Sequence, residues 1–294
     1  MSEVPVALKP EILSAVTTAF TDAGELDPSA FEANLERLEA LIDGVFVAGT
    51  TGEFPALSPQ EHSELVKVAL GVFGPQRVVV HVGAASTRQA VELARRAARF
   101  GAQRFAAITP YYLAASPHAT GDYLSAIKTT CGGEVYGYLF PDVAITDITP
   151  DQLGPLLDAG IDGLKLSGRA STRVEAYLAR APQGFKLWSG NDADLPHILA
   201  AGGTGTVSGC SSVCPQPWVD FREAYRAGDQ TRLAQAQVQI EQVVAALGPS
   251  IAHLKHGLDL QGLAGGDCRM SIDPPDAATR AAIAEAVTIA APAH

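Results

Sequence analysis

Residues 44–73, GVFVAGTTGEFPALSPQEHSELVKVALGVF, hold one complete folding unit. Gly44–Ala48 is a short run of β-branched and aromatic residues, the composition of a strand buried on both faces. It stops at Gly49-Thr50-Thr51-Gly52-Glu53, where two hydroxyls stand between two glycines. Ser58-Pro59-Gln60-Glu61 then opens a helix. Serine caps it, proline suits the first helical position, and Glu61 completes a capping box. The unit reads strand, polar loop, helix.

The same alternation recurs along the chain. Strands are expected at Ser14–Thr18, Gly44–Ala48, Val78–Val82, Arg104–Ile108, Val135–Phe140, Ile161–Leu166, Phe185–Ser189 and Gly205–Ser208. Helices are expected to begin near Pro28, Pro59, Thr87, Pro117, Thr149, Ser171 and Asp192, with Asp27-Pro28 a second capped start. Parallel strands joined by right-handed crossovers, at about 25 to 30 residues per unit, close into a (β/α)8 barrel when there are eight of them. From Pro215 onward no strand is expected, and Tyr225–Leu247, Ile251–Leu260 and Pro274–Ala291 read as helices. The expected organisation is a barrel over residues 1–214, with a C-terminal helical extension over 215–294 packed on it.

Composition bounds the function. The chain has 294 residues, 47% hydrophobic and 18% charged, with a formal net charge of −11, which suits a large apolar core and argues against nucleic-acid binding. Met1–Pro10 lacks the apolar core of a signal peptide. No run reaches the roughly 18 to 20 apolar residues of a membrane span. Of Cys131, Cys210, Cys214 and Cys268, only Cys210 and Cys214 are close, and no Cys/His pair completes a metal site. His253 and His256 share a helix face without a third ligand. Reduced thiols, a cytoplasmic location and no metal are expected.

In such a barrel the chemistry gathers at the C-terminal ends of the strands. The sixth strand reads Ile161-Asp162-Gly163-Leu164-Lys165-Leu166-Ser167 and places one of only six lysines inside an apolar run. Desolvation lowers the pKa of such a lysine, leaving neutral amine for attack on a carbonyl; the alternative is an ammonium snorkelling at the rim. Lys186 falls near the start of its strand, on the stability face. In the fifth strand Tyr136, Tyr138 and Phe140 share one face, as core or as a proton relay. Tyr111 and Tyr112 point in opposite directions after Pro110. Ser189-Gly190-Asn191-Asp192 either meets a hydroxylated substrate or caps the next helix, capping being the simpler reading. The GTTGE loop offers N–H groups and hydroxyls as a cradle for a small carboxylate, and Glu53 is read as a structural carboxylate bonding that loop.

Taken together these residues resemble the pyruvate-dependent class I aldolases of the dihydrodipicolinate synthase and N-acetylneuraminate lyase family. The resemblance runs from Thr17-Thr18-Ala19-Phe20 through GTTGE, TPYY, YLFP, GLKLS and SGND to Leu254-Lys255. It implies that Lys165 forms the imine with pyruvate and that Tyr138 shuttles the proton. It implies that Thr50 and Thr51 hold the carboxylate, Thr50 also joining the hydroxyl relay. Tyr112 matches a tyrosine that reaches across a dimer interface, and Val207 a position whose carbonyl lines the site. Gly49, Phe140, Ser167, Gly190 and Asp142 complete the candidate substrate-binding set.

The synthases of the family usually carry an arginine a few residues after the YLFP position. Here Asp142-Val143-Ala144 follows, and the next arginine is Arg169. Ser167 and Phe140 look more like the sugar-acid aldolases. The implied activity is a carbon–carbon or carbon–oxygen lyase acting on a 2-keto-3-deoxy sugar acid or related 2-keto acid, without cofactor beyond the covalent imine. The implied partners are a small keto acid and an aldehyde, with a homodimer or homotetramer as the assembly. Three other readings stand beside it: 4-hydroxy-tetrahydrodipicolinate synthase of lysine biosynthesis, a non-catalytic keto-acid-binding regulator, and a metal-assisted hydrolase using Glu53 with Asp142 or Asp192.

Overall fold

Short buried runs of valine, alanine, phenylalanine and leucine supply the strands of a closed parallel barrel. The computed structural model describes residues 9–248 and 250–291, so the Met1–Pro10 reading lies largely outside the described residues. The strands are β1 (Glu11–Ala15), β2 (Gly44–Val47), β3 (Val78–His81), β4 (Arg104–Ile108), β5 (Glu134–Leu139), β6 (Gly163–Leu166), β7 (Lys186–Ser189) and β8 (Gly205–Ser208). Each pairs with its sequence neighbour, and Glu11 opposite Gly205 joins β8 to β1. Four regular helices follow the first four strands: α1 (Pro28–Glu39), α2 (Pro59–Phe73), α3 (Thr87–Arg99) and α4 (Pro117–Cys131). Their starts follow the chemistry read from sequence. Asp27 accepts from Ala30 N at 2.9 Å, and Ser58 with Glu61 forms the capping box.

The second half of the ring is thinner. Helices α5 (Pro141–Ala144), α6 (Gly154–Asp158), α7 (Val174–Leu178) and α8 (Leu195–Ala200) are short, and 3-10 turns precede the last three. The expected starts at Thr149, Ser171 and Asp192 therefore fall on those turns. After β8 come α9 (Gln216–Ala227), α10 (Gln230–Leu247), α11 (Ile251–Asp259) and α12 (Ala277–Ile289). The single helix expected at Tyr225–Leu247 is two. Gly228 turns left-handed at φ 65°, and Asp229 restarts the chain by capping Arg232 N at 3.1 Å. Arg222 of α9 bonds Asp43 and the Leu41 carbonyl, which ties α9 beside the end of α1.

The first strand is Glu11–Ala15 rather than Ser14–Thr18. Its register with β8 fixes the start, and Thr18 spends its hydroxyl on the Gly52 carbonyl at 2.7 Å instead of on a ladder. One apolar layer lies between strands and helices, and a second fills the barrel with Leu13, Phe46, Val79, Ile108, Tyr136 and Trp188. At the N-terminal end Arg104 binds both oxygens of Glu11, and Lys186 binds Glu134 at 3.0 Å. That network closes the floor, so any reagent enters from the other end. Among the described residues no helix is long and apolar enough to cross a membrane.

Candidate active site

Register places the central lysine. Tyr138 of β5 pairs with Lys165 of β6, which pairs with Trp188 of β7. Alternation turns Lys165 into the barrel near the C-terminal end of β6, with only 6% of its surface exposed. Its Nζ lies 4.0 Å from the Tyr138 ring centre and 4.5 Å from that of Phe46. Aromatic faces steady an ammonium without taking its proton. Among the described residues no carboxylate forms an ion pair with it.

The GTTGE loop begins with a turn that only a supported backbone adopts. Ala48 has φ 53° and Glu53 φ 55°, left-handed values costly for residues with a Cβ. Gly49 is required because a Cβ there would sit 2.6 Å from the Phe46 ring. His81 of β3 supports Ala48. Its Nδ1 donates to the Ala48 carbonyl at 2.9 Å, and Nε2 accepts from Ile108 N at 3.2 Å. Burial, helped by the charge of Lys165, pushes the His81 pKa down to about 3, so the ring stays neutral in that tautomer. Sequence reasoning missed His81. The only signal was one imidazole in the run VVVH, which alone reads as core.

The threonines face the lysine side. Thr50 Oγ1 is 3.3 Å from the Tyr138 hydroxyl, and Thr51 lies against Gly209 beyond β8. Glu53 turns away from the cavity. Its Oε2 accepts from Met270 N at 2.8 Å, and Oε1 lies 2.9 Å from Lys255 Nζ. Lys255 also donates to the Asp267 carbonyl at 2.7 Å, and both side chains of this pair are buried. Glu53 is a structural carboxylate whose partners are Met270 N and Lys255 rather than its own loop, and Lys255 is the lysine at the end of the family resemblance.

A cavity of about 630 Å³ opens above Lys165, lined by Thr50, Thr51, Tyr138, Phe140, Asp142, Ser167, Gly190 and Val207. Of the predicted site residues, Gly49 lies just behind this lining. Tyr112 is remote from it, 86% exposed at φ 75°. Phe140 stacks on Tyr138 with ring centres 6.1 Å apart. Asp142 stands at the mouth with both oxygens engaged by Arg169, at 2.8 Å from Nη1 and 2.7 Å from its backbone N. The outer wall, Val244, Ile251 and Leu254, comes from α10 and α11. No periodicity tells which face of those helices bends over a barrel mouth.

The capping reading of Ser189–Asp192 is corrected. Neither Asn191 nor Asp194 caps a helix with its side chain. Asp192 is buried instead, accepting at 2.6 Å from Thr206 and from Ser208, and thereby fixes β8 against β7. Burial raises its pKa from the usual 3.8 to about 6. The folded protein thus holds this proton more tightly than the unfolded chain. The associated stability is complete below the unfolded value and is lost as pH rises through the folded one. Relative to Asp192→Asn, wild type is expected to lose on the order of 2–3 kcal/mol across that window in urea unfolding. Parallel stability curves would contradict this.

Among the described residues no group of three or more His, Cys, Asp or Glu side chains is placed to hold a metal. A closed parallel barrel with a buried lysine at its C-terminal mouth is the frame of a class I lyase. Residues 9–290 match the model of the Dihydrodipicolinate synthetase family, and the chain belongs to that family. Its members are class I Schiff-base lyases and aldolases, which join a keto acid to a lysine without a metal cofactor. The chain is 30% identical over 249 residues to a 4-hydroxy-tetrahydrodipicolinate synthase of Methylibium petroleiphilum, covering 83% of this chain and 85% of the relative. It is 32% identical over 279 residues to an uncharacterized DapA-like lyase of Halobacterium salinarum, covering 92% and 91%. YagE, an Escherichia coli K12 prophage protein solved in complex with pyruvate, superposes with a TM-score of 0.87 at 25% identity, covering 97% and 99%.

Proposed function

We propose that the protein is a pyruvate-dependent aldolase that cleaves and forms a 2-keto-3-deoxy sugar acid, with Lys165 as the imine-forming residue. The observation that carries this reading is the buried Lys165 amine, with no ion-pair partner among the described residues and 4.0 Å from the Tyr138 ring, with the Tyr138 hydroxyl 3.3 Å from Thr50. The Lys165 amine adds to the C2 carbonyl, and Tyr138 gives its phenol proton to the departing hydroxyl, so that water leaves and a protonated imine remains. The Tyr138 phenolate so formed, hydrogen-bonded by Thr50, takes the C4 hydroxyl proton. The C3–C4 pair flows into the iminium, releasing an aldehyde and leaving an enamine. Protonation at C3 and hydrolysis return pyruvate and the lysine. Thr51 and the N–H groups of the loop after Gly49 hold the carboxylate and fix the imine plane.

The test is borohydride reduction with pyruvate followed by peptide mass analysis, together with pyruvate release from a panel of 2-keto-3-deoxy sugar acids. A reduced adduct confined to the Lys165 peptide is expected; its absence would sink the assignment. Tyr138→Phe is expected to lower kcat by roughly 10²-fold or more while the adduct still forms. Unchanged turnover would remove the phenol from the mechanism.

Two further observations bear on partners and on the alternative. Tyr112 and Leu113 stand exposed beside Ile145, on loops stapled together where Thr146 meets Pro110 and Ala115. Such an apolar patch supports a second copy of the chain covering it, with Tyr112 reaching the neighbouring site. The Methylibium petroleiphilum relative favours a synthase of 4-hydroxy-tetrahydrodipicolinate. Against that stands the run Asp142-Val143-Ala144, which lacks the arginine the synthases usually carry a few residues after the YLFP position. Assay with pyruvate and aspartate semialdehyde separates the two readings.

A further inference from the structure

Among the described residues three charged side chains line the cavity: Lys165, Asp142 and Asp192. Each is committed. Lys165 is consumed as the imine, and its positive charge faces the keto-acid carboxylate. Both oxygens of Asp192 are held at 2.6 Å by Thr206 and Ser208. Both oxygens of Asp142 are held by Arg169, which also donates to the Pro141 carbonyl at 3.3 Å and to Asp147 at 3.5 Å. Arg173 binds Asp147 in turn, at 2.9 and 3.0 Å, so the four charges at the mouth cancel. Gly168 packs this pair tightly. It sits at φ 58°, and a Cβ there would lie 1.8 Å from Asp142 Oδ2. The part of the cavity beyond the imine therefore offers no uncommitted cation.

What it does offer is apolar surface and hydroxyls. Val143, Val244 and Ile251 form the outer wall, and Ser167 and Ser171 stand across from Gly190 and Asn191. Ser171 lines the cavity, and its buried hydroxyl has no hydrogen-bond partner among the described residues. A buried hydroxyl without a partner costs free energy that a ligand group can recover. A carboxylate or phosphate placed here would shed its water and meet no counter-ion.

We propose that the acceptor half of this cavity takes an uncharged, hydroxylated aldehyde, with Ser171 bonding a hydroxyl of that aldehyde and the Asp142–Arg169 pair excluding anionic acceptors. This rests on the aldolase reading above and names the substrate class of the same site. Asp142 acts as the specificity residue by pairing its charge with the half-exposed Arg169 guanidinium, which does not itself line the cavity.

The experiment measures aldol synthesis from pyruvate with acceptors that share a carbon chain and differ in charge: glyceraldehyde with glyceraldehyde 3-phosphate, and butanal with 4-oxobutanoate. In wild type, kcat/KM for each neutral member is expected to exceed that of its anionic partner by roughly 10²-fold, the discrimination an unpaired buried charge provides. Asp142→Asn releases Arg169 from its counter-charge and is expected to raise the anionic-to-neutral ratio by about tenfold or more. Ser171→Ala is expected to lower the ratio of glyceraldehyde to butanal by about tenfold, a change that loosened packing alone would not make. Preference for the anionic members, or an Asp142→Asn ratio equal to wild type, would overturn the proposal. Borohydride trapping with pyruvate is run on every variant. An intact adduct with no acceptor turned over would reject the acceptor class alone. A missing adduct in wild type would reject the aldolase reading and this proposal with it.

Discussion

Lys165→Ala is expected to lower pyruvate release by at least ~10⁴-fold, on the order of 5 kcal/mol of transition-state stabilisation. The size follows from what the amine does. Without it, breaking C3–C4 leaves a carbanion beside a plain ketone, and no other group lining the cavity is an amine. In the proposed mechanism the imine nitrogen is the electron sink, a role that neither Tyr138 nor the threonines can take over. Stability should change little, since Lys165 rests on two aromatic faces and forms no ion pair among the described residues. Lys165→Met, which keeps the length and the contact with Phe46, should fold like wild type and be equally inactive. Lys165→Arg tests charge against chemistry. A guanidinium preserves the positive centre but stays protonated and does not condense. Residual turnover in Lys165→Arg above that of Lys165→Met would show that charge alone contributes, and turnover near wild type in any of the three would remove Lys165 from the chemistry.

Much of this site was readable because the barrel converts sequence position into space. β4 and β8 run where their apolar residues put them, and once eight strands are counted, every strand's C-terminal end must face one mouth. That rule selected Lys165 over Lys186, which the structure places in the closed floor with Glu134. Three kinds of feature stayed hidden. Thr17 and Thr18 extended the first strand on β propensity, whereas pairing with β2 ends it at Ala15 and leaves Thr18 to a loop carbonyl. His81 acts through a hydrogen bond to Ala48, a residue whose left-handed backbone no composition signals. The outer wall depends on α10 and α11 packing over the mouth, and Gly228 splits α9 from α10 within a stretch that reads as one helix. Local pattern specifies elements; contacts between elements far apart in the chain specify the rest.

Lys255→Met is expected to destabilise the fold by about 3–5 kcal/mol, the cost of leaving a buried carboxylate without its partner. For a chain of this size that is roughly 5 to 15 °C in Tm. The side chains of Lys255 and Glu53 are 1% and 0% exposed, the closest approach being 2.9 Å. The ammonium also rests over the Phe20 ring at 4.5 Å and bonds the Asp267 carbonyl. Removing it strands Glu53 Oε1, which has no directed hydrogen bond of its own. Glu53 must then take up a proton or swing the loop toward water. The double variant Glu53→Leu with Lys255→Met removes both charges and should recover much of the lost stability, because a buried pair often contributes little beyond an apolar replacement. Recovery of catalysis is a separate matter. Glu53 holds the left-handed end of the threonine loop and reaches Met270 N through Oε2, a bond leucine does not make. The double variant is therefore expected to regain Tm while its KM for pyruvate stays raised by about tenfold, since threonines set 1 Å off place the carboxylate wrongly. If Tm and KM recover together, the pair serves the fold alone; if Tm recovers and KM does not, the buried charges hold the cradle in its working shape.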